Sequence, residues 1–127
     1  MKTVIQAIEA SPTRLSIILS DCCNGPVASK LYCPELLLKT NSIFKPAALL
    51  VGAQKLFTKT SGHIRATASS PGQNALAFRR GSVFTLAFTQ AVSEATAVKH
   101  PSWDRVFQST KTKCGTLQTP YVALDLR

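Results

Sequence analysis

Apolar positions recur along this chain with two different periods, and the switches between them predict its elements. Val4, Ile5 and Ile8 fall at helical spacing, so residues 2–10 read as a short helix. Ser11-Pro12-Thr13 breaks it. The run from Arg14 to Ser20 is apolar at nearly every position, the pattern of a strand buried on both faces of a parallel sheet. Residues 24–45 are mixed in polarity and carry Gly25-Pro26 and Asn41-Ser42, which reads as loop with a helical turn near 35–38. A second helix is expected over 46–58, opened by Pro46 and given its apolar face by Ala48, Leu49, Val51, Leu56 and Phe57. After Gly62, residues 63–69 alternate like a strand, and Ser70-Pro71-Gly72-Gln73-Asn74 has turn chemistry. Arg79-Arg80-Gly81 leads into a third helix over 82–97 with Ser82 as its N-cap; Pro101-Ser102-Trp103 opens a fourth through about 113. Residues 120–126 form a last strand. The order α-β-α-β-α-α-β argues for a layered α/β sheet of about three mainly parallel strands with flanking helices.

Length and composition fit this picture. A chain of 127 residues with 45% apolar content suits one domain with a real core, and it is not disordered by composition. No apolar stretch approaches the roughly 20 residues needed to span a bilayer. The N-terminus is amphipathic rather than a charged start followed by an apolar block, so it does not read as a signal peptide. The expected address is therefore the cytoplasm, where thiols stay reduced. The net charge of +9 raises nucleic acid as a partner, but the basic residues are scattered, without a run or interleaved aromatics, which favours a solvated basic surface.

Four cysteines stand at 22, 23, 33 and 114 with no C-x-x-C pair, which argues against a zinc site, and no other cofactor is implied. Cys33 and Cys114 read as small buried or half-buried residues. Successive side chains of an extended backbone point to opposite sides, which sends Cys22 inward and leaves Cys23 facing the cleft. A thiol there, at the carboxyl end of a buried strand, sits where open α/β sheets place ligands and chemistry.

Ser20-Asp21-Cys22-Cys23-Asn24 resembles the cysteine loop of the caspase-like peptidases, metacaspases included, whose cysteine follows an Asp-x motif. Three further blocks are similar to that family in its own order: the strand and loop from Gly62 to Gly72, the helix start Arg80-Gly81-Ser82-Val83-Phe84-Thr85-Leu86-Ala87-Phe88, and the pair Ser102-Trp103 with the closing Gln118-Thr119-Pro120-Tyr121. Together they cover nearly the whole chain.

The resemblance implies a caspase-like three-layer sandwich, here only its C-terminal half over residues 1–127, with Cys23 as nucleophile. It implies Asp21 as an acidic group binding a basic P1 side chain, with Ser69 and Ser70 lining the substrate pocket. The substrate would be a peptide or protein. The family's histidine is expected about 50 residues upstream of the cysteine, a separation this chain cannot hold. His63 and His100 stand elsewhere and read as ordinary strand and surface histidines. Metacaspases add an acidic residue after the second strand, where this chain has Ser70-Pro71-Gly72-Gln73, and no acidic cluster supports calcium binding.

Cys23 without its histidine implies a domain inactive by itself. It also implies an open apolar edge on the strand from Arg14 to Ser20, so that the chain docks on a partner chain, self-associates along that edge, or is a fragment of a longer protein. Two rival readings stand beside this one: a caspase-like pseudoenzyme acting in assembly or regulation, and a basic nucleic-acid-binding α/β domain whose binding would weaken steeply with salt.

Overall fold

The computed structural model describes residues 2–23, 51–78 and 81–127. The expected loop over 24–45, the start of the second helix at Pro46, Cys33 and the Arg79-Arg80 pair lie outside the described residues.

Helix α1 (Lys2–Glu9) is followed by strand β1 (Leu15–Ser20). Residues 51–53 are helical and pass into a π-helical turn, Gln54–Thr58, which leads to strand β2 (Gly62–Thr67). Two short strands, β3 (Ala77–Phe78) and β4 (Gly81–Ser82), pair antiparallel ahead of helix α2 (Val83–Thr96). Helix α3 (Trp103–Cys114) and strand β5 (Tyr121–Leu126) complete the chain. Both serine caps form as their position in sequence predicts: Ser82 Oγ accepts from the Thr85 N–H at 3.1 Å, and Ser102 Oγ from the Arg105 N–H at 3.3 Å.

The sheet order is β1-β2-β5. β1 and β2 run parallel, with Leu15 opposite Gly62 and Ser20 opposite Thr67. β5 runs antiparallel to β2, with Gly62 opposite Leu126 and Thr67 opposite Tyr121. The sheet is thus mixed rather than mainly parallel. The cause is the number of helices between strands. Between β2 and β5 two helices, α2 and α3, follow one another, and two helical passes in succession bring the chain back at the end of the sheet from which an antiparallel strand starts. Gly62 lies at a close approach of β2 and β5. Its φ is +117°, and a Cβ there would stand 2.1 Å from the Asp125 carbonyl oxygen.

One face of β2, through Ile64 and Ala66, joins the core formed with Leu56, Phe84, Ala91, Trp103, Val106 and Phe107. Phe57, Trp103, Phe107, Phe88 and Phe84 make a chain of ring contacts with centroids 5.2–6.2 Å apart. The buried Trp103 indole donates to the Leu56 carbonyl at 3.1 Å, which satisfies its polar atom while fixing the π-helical turn to α3. On the other face of β2 the exposed Arg65 meets Glu9 of α1 at 3.3 Å. β1 departs from the expectation of burial on both faces: only Ser16 is fully buried, and Leu19 is 41% exposed. It is an edge strand among the described residues, with β2 on one side, so its apolar side chains are covered less completely than those of an interior strand. No helix among the described residues is long and apolar enough to cross a membrane.

Candidate functional site at the carboxyl edge of the parallel strands

The parallel ladder of β1 and β2 extends one step beyond the strands through the Ala68 N–H and the Ser20 carbonyl, 2.8 Å apart. Just past this point the chain carries Asp21, Cys22 and Cys23, all exposed. Exposure of Cys22 corrects the expectation that it packs inward. The chain has left the extended ladder by this residue, so strict alternation of side chains no longer applies. Cys22 Sγ lies 3.1 Å from Ser20 Oγ. Cys23 Sγ points across to the loop after β2 and donates to the Ala75 carbonyl at 3.7 Å, a long contact that leaves the thiol accessible.

Asp21 reaches to the start of α2. Its Oδ2 accepts from the Ser82 and Thr85 hydroxyls, the latter at 2.5 Å. A carboxylate at a helix N-terminus also complements the helix dipole. The cysteine loop is thereby tied to a helix that begins more than 60 residues later in the chain.

Ser69 and Ser70 follow β2 at the same edge. The buried Ser69 donates to the Cys22 carbonyl at 3.3 Å, so it touches the cysteine loop through the backbone. Ser70 donates to the Thr119 carbonyl at 2.9 Å and belongs to the junction with the approach to β5. The structure therefore gathers Asp21, Cys23 and Ser69 at one edge, with Ser70 beside them facing the C-terminal segment.

Gln118 was legible only as part of the closing block over 118–121; its structural role was missed. It is only 2% exposed, and its amide bridges two backbone groups: Nε2 donates to the Ala68 carbonyl and Oε1 accepts from the Leu76 N–H, both at 2.8 Å. Gln73 Oε1 adds a bond from the Thr119 N–H at 3.1 Å. These side chains hold the loop over 68–76 against which Cys23 rests. A lone glutamine in a polar connection carries no periodic signal that would have marked it.

The histidines sit elsewhere. His63 Nδ1 is 2.8 Å from Ser16 Oγ, and the pair lies four residues before the end of the strands, roughly 13 Å from the edge. His100 follows α2, whose 14 residues carry it about 20 Å from the end that Asp21 caps. Cys114, at the end of α3, is buried as expected. Burial, and after it the negative charge of Asp21, push its thiol from 9.0 up to about 11, so it is an inert structural thiol. Among the described residues no cluster of three or more His, Cys, Asp or Glu side chains is placed to hold a metal ion.

Comparison with family models, with curated proteins and with solved structures finds no match to this chain.

Proposed function

We propose that this chain is the nucleophile-bearing part of a caspase-like cysteine endopeptidase domain, with Cys23 attacking the substrate carbonyl and forming an acyl-enzyme. The observation that carries the reading is the exposed Cys23 thiol at the carboxyl edge of a parallel strand pair, beside the loop after β2. Nucleophiles and ligands belong at that edge in open α/β sheets.

Such a thiol needs a base, since the thiolate is the nucleophile and a neutral cysteine is only a few per cent ionised. Neither histidine of the chain lies within hydrogen-bond reach of this edge on the distances given above. On this reading the histidine and the second oxyanion-hole donor come from a polypeptide segment other than the described residues, pairing along the edge of β1 that is unpaired among the described residues. By itself the chain has no meaningful peptidase activity. Asp21 serves a basic P1 side chain only if its carboxylate accepts from that side chain while it caps α2.

The test is labelling by a peptide acyloxymethyl ketone, with and without a polypeptide that supplies a His-Gly-bearing N-terminal half of a caspase-like domain. Labelling that requires the added half, and that Cys23→Ala abolishes, is the expected result. Folded chain that stays unlabelled with the half bound would overturn it and favour the pseudoenzyme. That second reading draws on the commitment of the Asp21 carboxylate to Ser82 and Thr85, which makes it a structural tie as it stands.

A further inference from the structure

Cys22 is not used by the proposed chemistry, yet it stands beside the nucleophile and is itself exposed. We infer that Cys22 and Cys23 form a reversible dithiol–disulfide pair, an oxidation site responsive to small-molecule disulfides such as glutathione disulfide. That this pair switches catalysis off rests on the reading of Cys23 as nucleophile; the oxidation chemistry itself does not.

Thiol–disulfide exchange needs an attacking thiolate that can approach another sulfur in line. Both sulfurs project from the segment beyond the last step of the β1–β2 ladder, and neither is held by a strong partner. Cys23 Sγ is engaged only through the 3.7 Å contact to the Ala75 carbonyl, which a rotation about its side-chain bond releases. Cys22 Sγ lies 3.1 Å from the Ser20 hydroxyl, a group that can donate to a thiolate. The remaining described cysteine, Cys114, is buried within the packing around α2 and α3 and is closed to such a reagent.

The reaction balances without any further reagent. The Cys23 thiolate attacks one sulfur of glutathione disulfide; the glutathione S–S bond breaks, a mixed disulfide forms on Cys23, and one glutathione thiolate leaves. The Cys22 thiolate then attacks the Cys23 sulfur and expels the second glutathione thiolate. The two protons lost by the protein thiols end on the two glutathiones. The protein is oxidised by two electrons, and one glutathione disulfide is reduced to two glutathiones.

Geometry makes the product labile. Neighbouring Cα atoms across a trans peptide are about 3.8 Å apart, closer than the roughly 4.4–6.8 Å of ordinary disulfides. Strained and exposed disulfides are the readily reduced ones, suited to regulation rather than to structure. Closing the ring around the Cys22–Cys23 peptide also strains the bond by which Ser69 holds the Cys22 carbonyl. The oxidised form thus loses the Cys23 thiol and loosens the loop that positions it.

The experiment uses the full chain carrying Cys33→Ser, so that only Cys22 and Cys23 are open to exchange. It is incubated with glutathione disulfide and read by intact mass and peptide mapping. The expected product has lost two hydrogens, maps to the peptide bearing Cys22 and Cys23, and reverts on addition of reduced glutathione. With Cys22→Ser added, the product becomes a lasting glutathione adduct on Cys23. A lasting adduct on the chain that keeps Cys22 would overturn the inference, as would a bridge between Cys33 and either thiol in the unsubstituted chain. Mass is read without any peptidase activity. A disulfide that forms in a chain the ketone probe never labels would therefore sink the catalytic reading and leave the redox pair standing. Labelling without a disulfide would do the reverse.

Discussion

Replacing Gln118 by alanine removes the bridge between the end of β2 and the loop that faces Cys23. Two backbone groups lose their partner together, the Ala68 carbonyl and the Leu76 N–H, each now bonded at 2.8 Å. Leaving a buried polar group unpaired costs about 1–3 kcal/mol. Ala68 is fully buried and pays toward the upper end, whereas Leu76 is half-buried and recovers some solvation. A loss of about 3 kcal/mol is therefore expected. For a two-state domain of this size each kcal/mol moves the melting midpoint roughly 4 °C, which gives a fall of roughly 12 °C. Gln118→Met keeps most of the volume and removes both bonds, so it should fall nearly as far as Gln118→Ala. Thermal unfolding followed by circular dichroism measures the midpoint, and hydrogen exchange at the Leu76 amide reads the bond directly. If Gln118→Met melts within about 2 °C of the parent, well inside the fall expected for two orphaned groups, and its Leu76 amide stays protected, the bridge is not what holds the loop.

Two further outcomes are expected. Gly62→Ala places a side chain at φ +117° and a Cβ 2.1 Å from the Asp125 oxygen, so β2 and β5 must separate. The backbone strain alone is worth about 1–3 kcal/mol, and a urea midpoint equal to that of the parent would refute the close approach. Because the folded state holds the Cys114 proton more tightly than the unfolded state does, stability is fully present below 9.0 and is lost as pH rises toward about 11. The loss is on the order of 2 kcal/mol, and Cys114→Ala should flatten this part of the stability–pH curve; an unchanged curve would show that the thiol does not titrate late.

What was legible in the sequence follows from which forces act locally. Ser82 and Ser102 cap their helices through bonds to residues three positions on, and such bonds are visible in a short window. β1 and β2 stand out because their apolar content belongs to themselves. The two helices between β2 and β5 were legible; the expectation of mainly parallel strands did not use them, and no residue within Tyr121–Leu126 marks the strand's direction. The role of Asp21 was hidden for a related reason: its partners Ser82 and Thr85 lie 61 and 64 residues away. The resemblance suggested a substrate carboxylate; that the same carboxylate also meets a helix terminus depends on the fold.

This dependence on distant segments bears on how the Cys23 position is made. Three anchors meet on three successive residues: the Asp21 carboxylate on α2, the Cys22 carbonyl on Ser69, and the Cys23 thiol on the Ala75 carbonyl. Two of them end on the loop over 68–76. That loop is in turn held by Gln118 and by the bonds that join Ser70 and Gln73 to Thr119. The thiol is therefore placed by residues from across the whole C-terminal part of the chain. β1 and its turn alone do not place it. Cys23 and Gln118 thus both bear on the loop over 68–76, so a change at Gln118 is expected to be felt at Cys23 although the two lie 95 positions apart in the sequence.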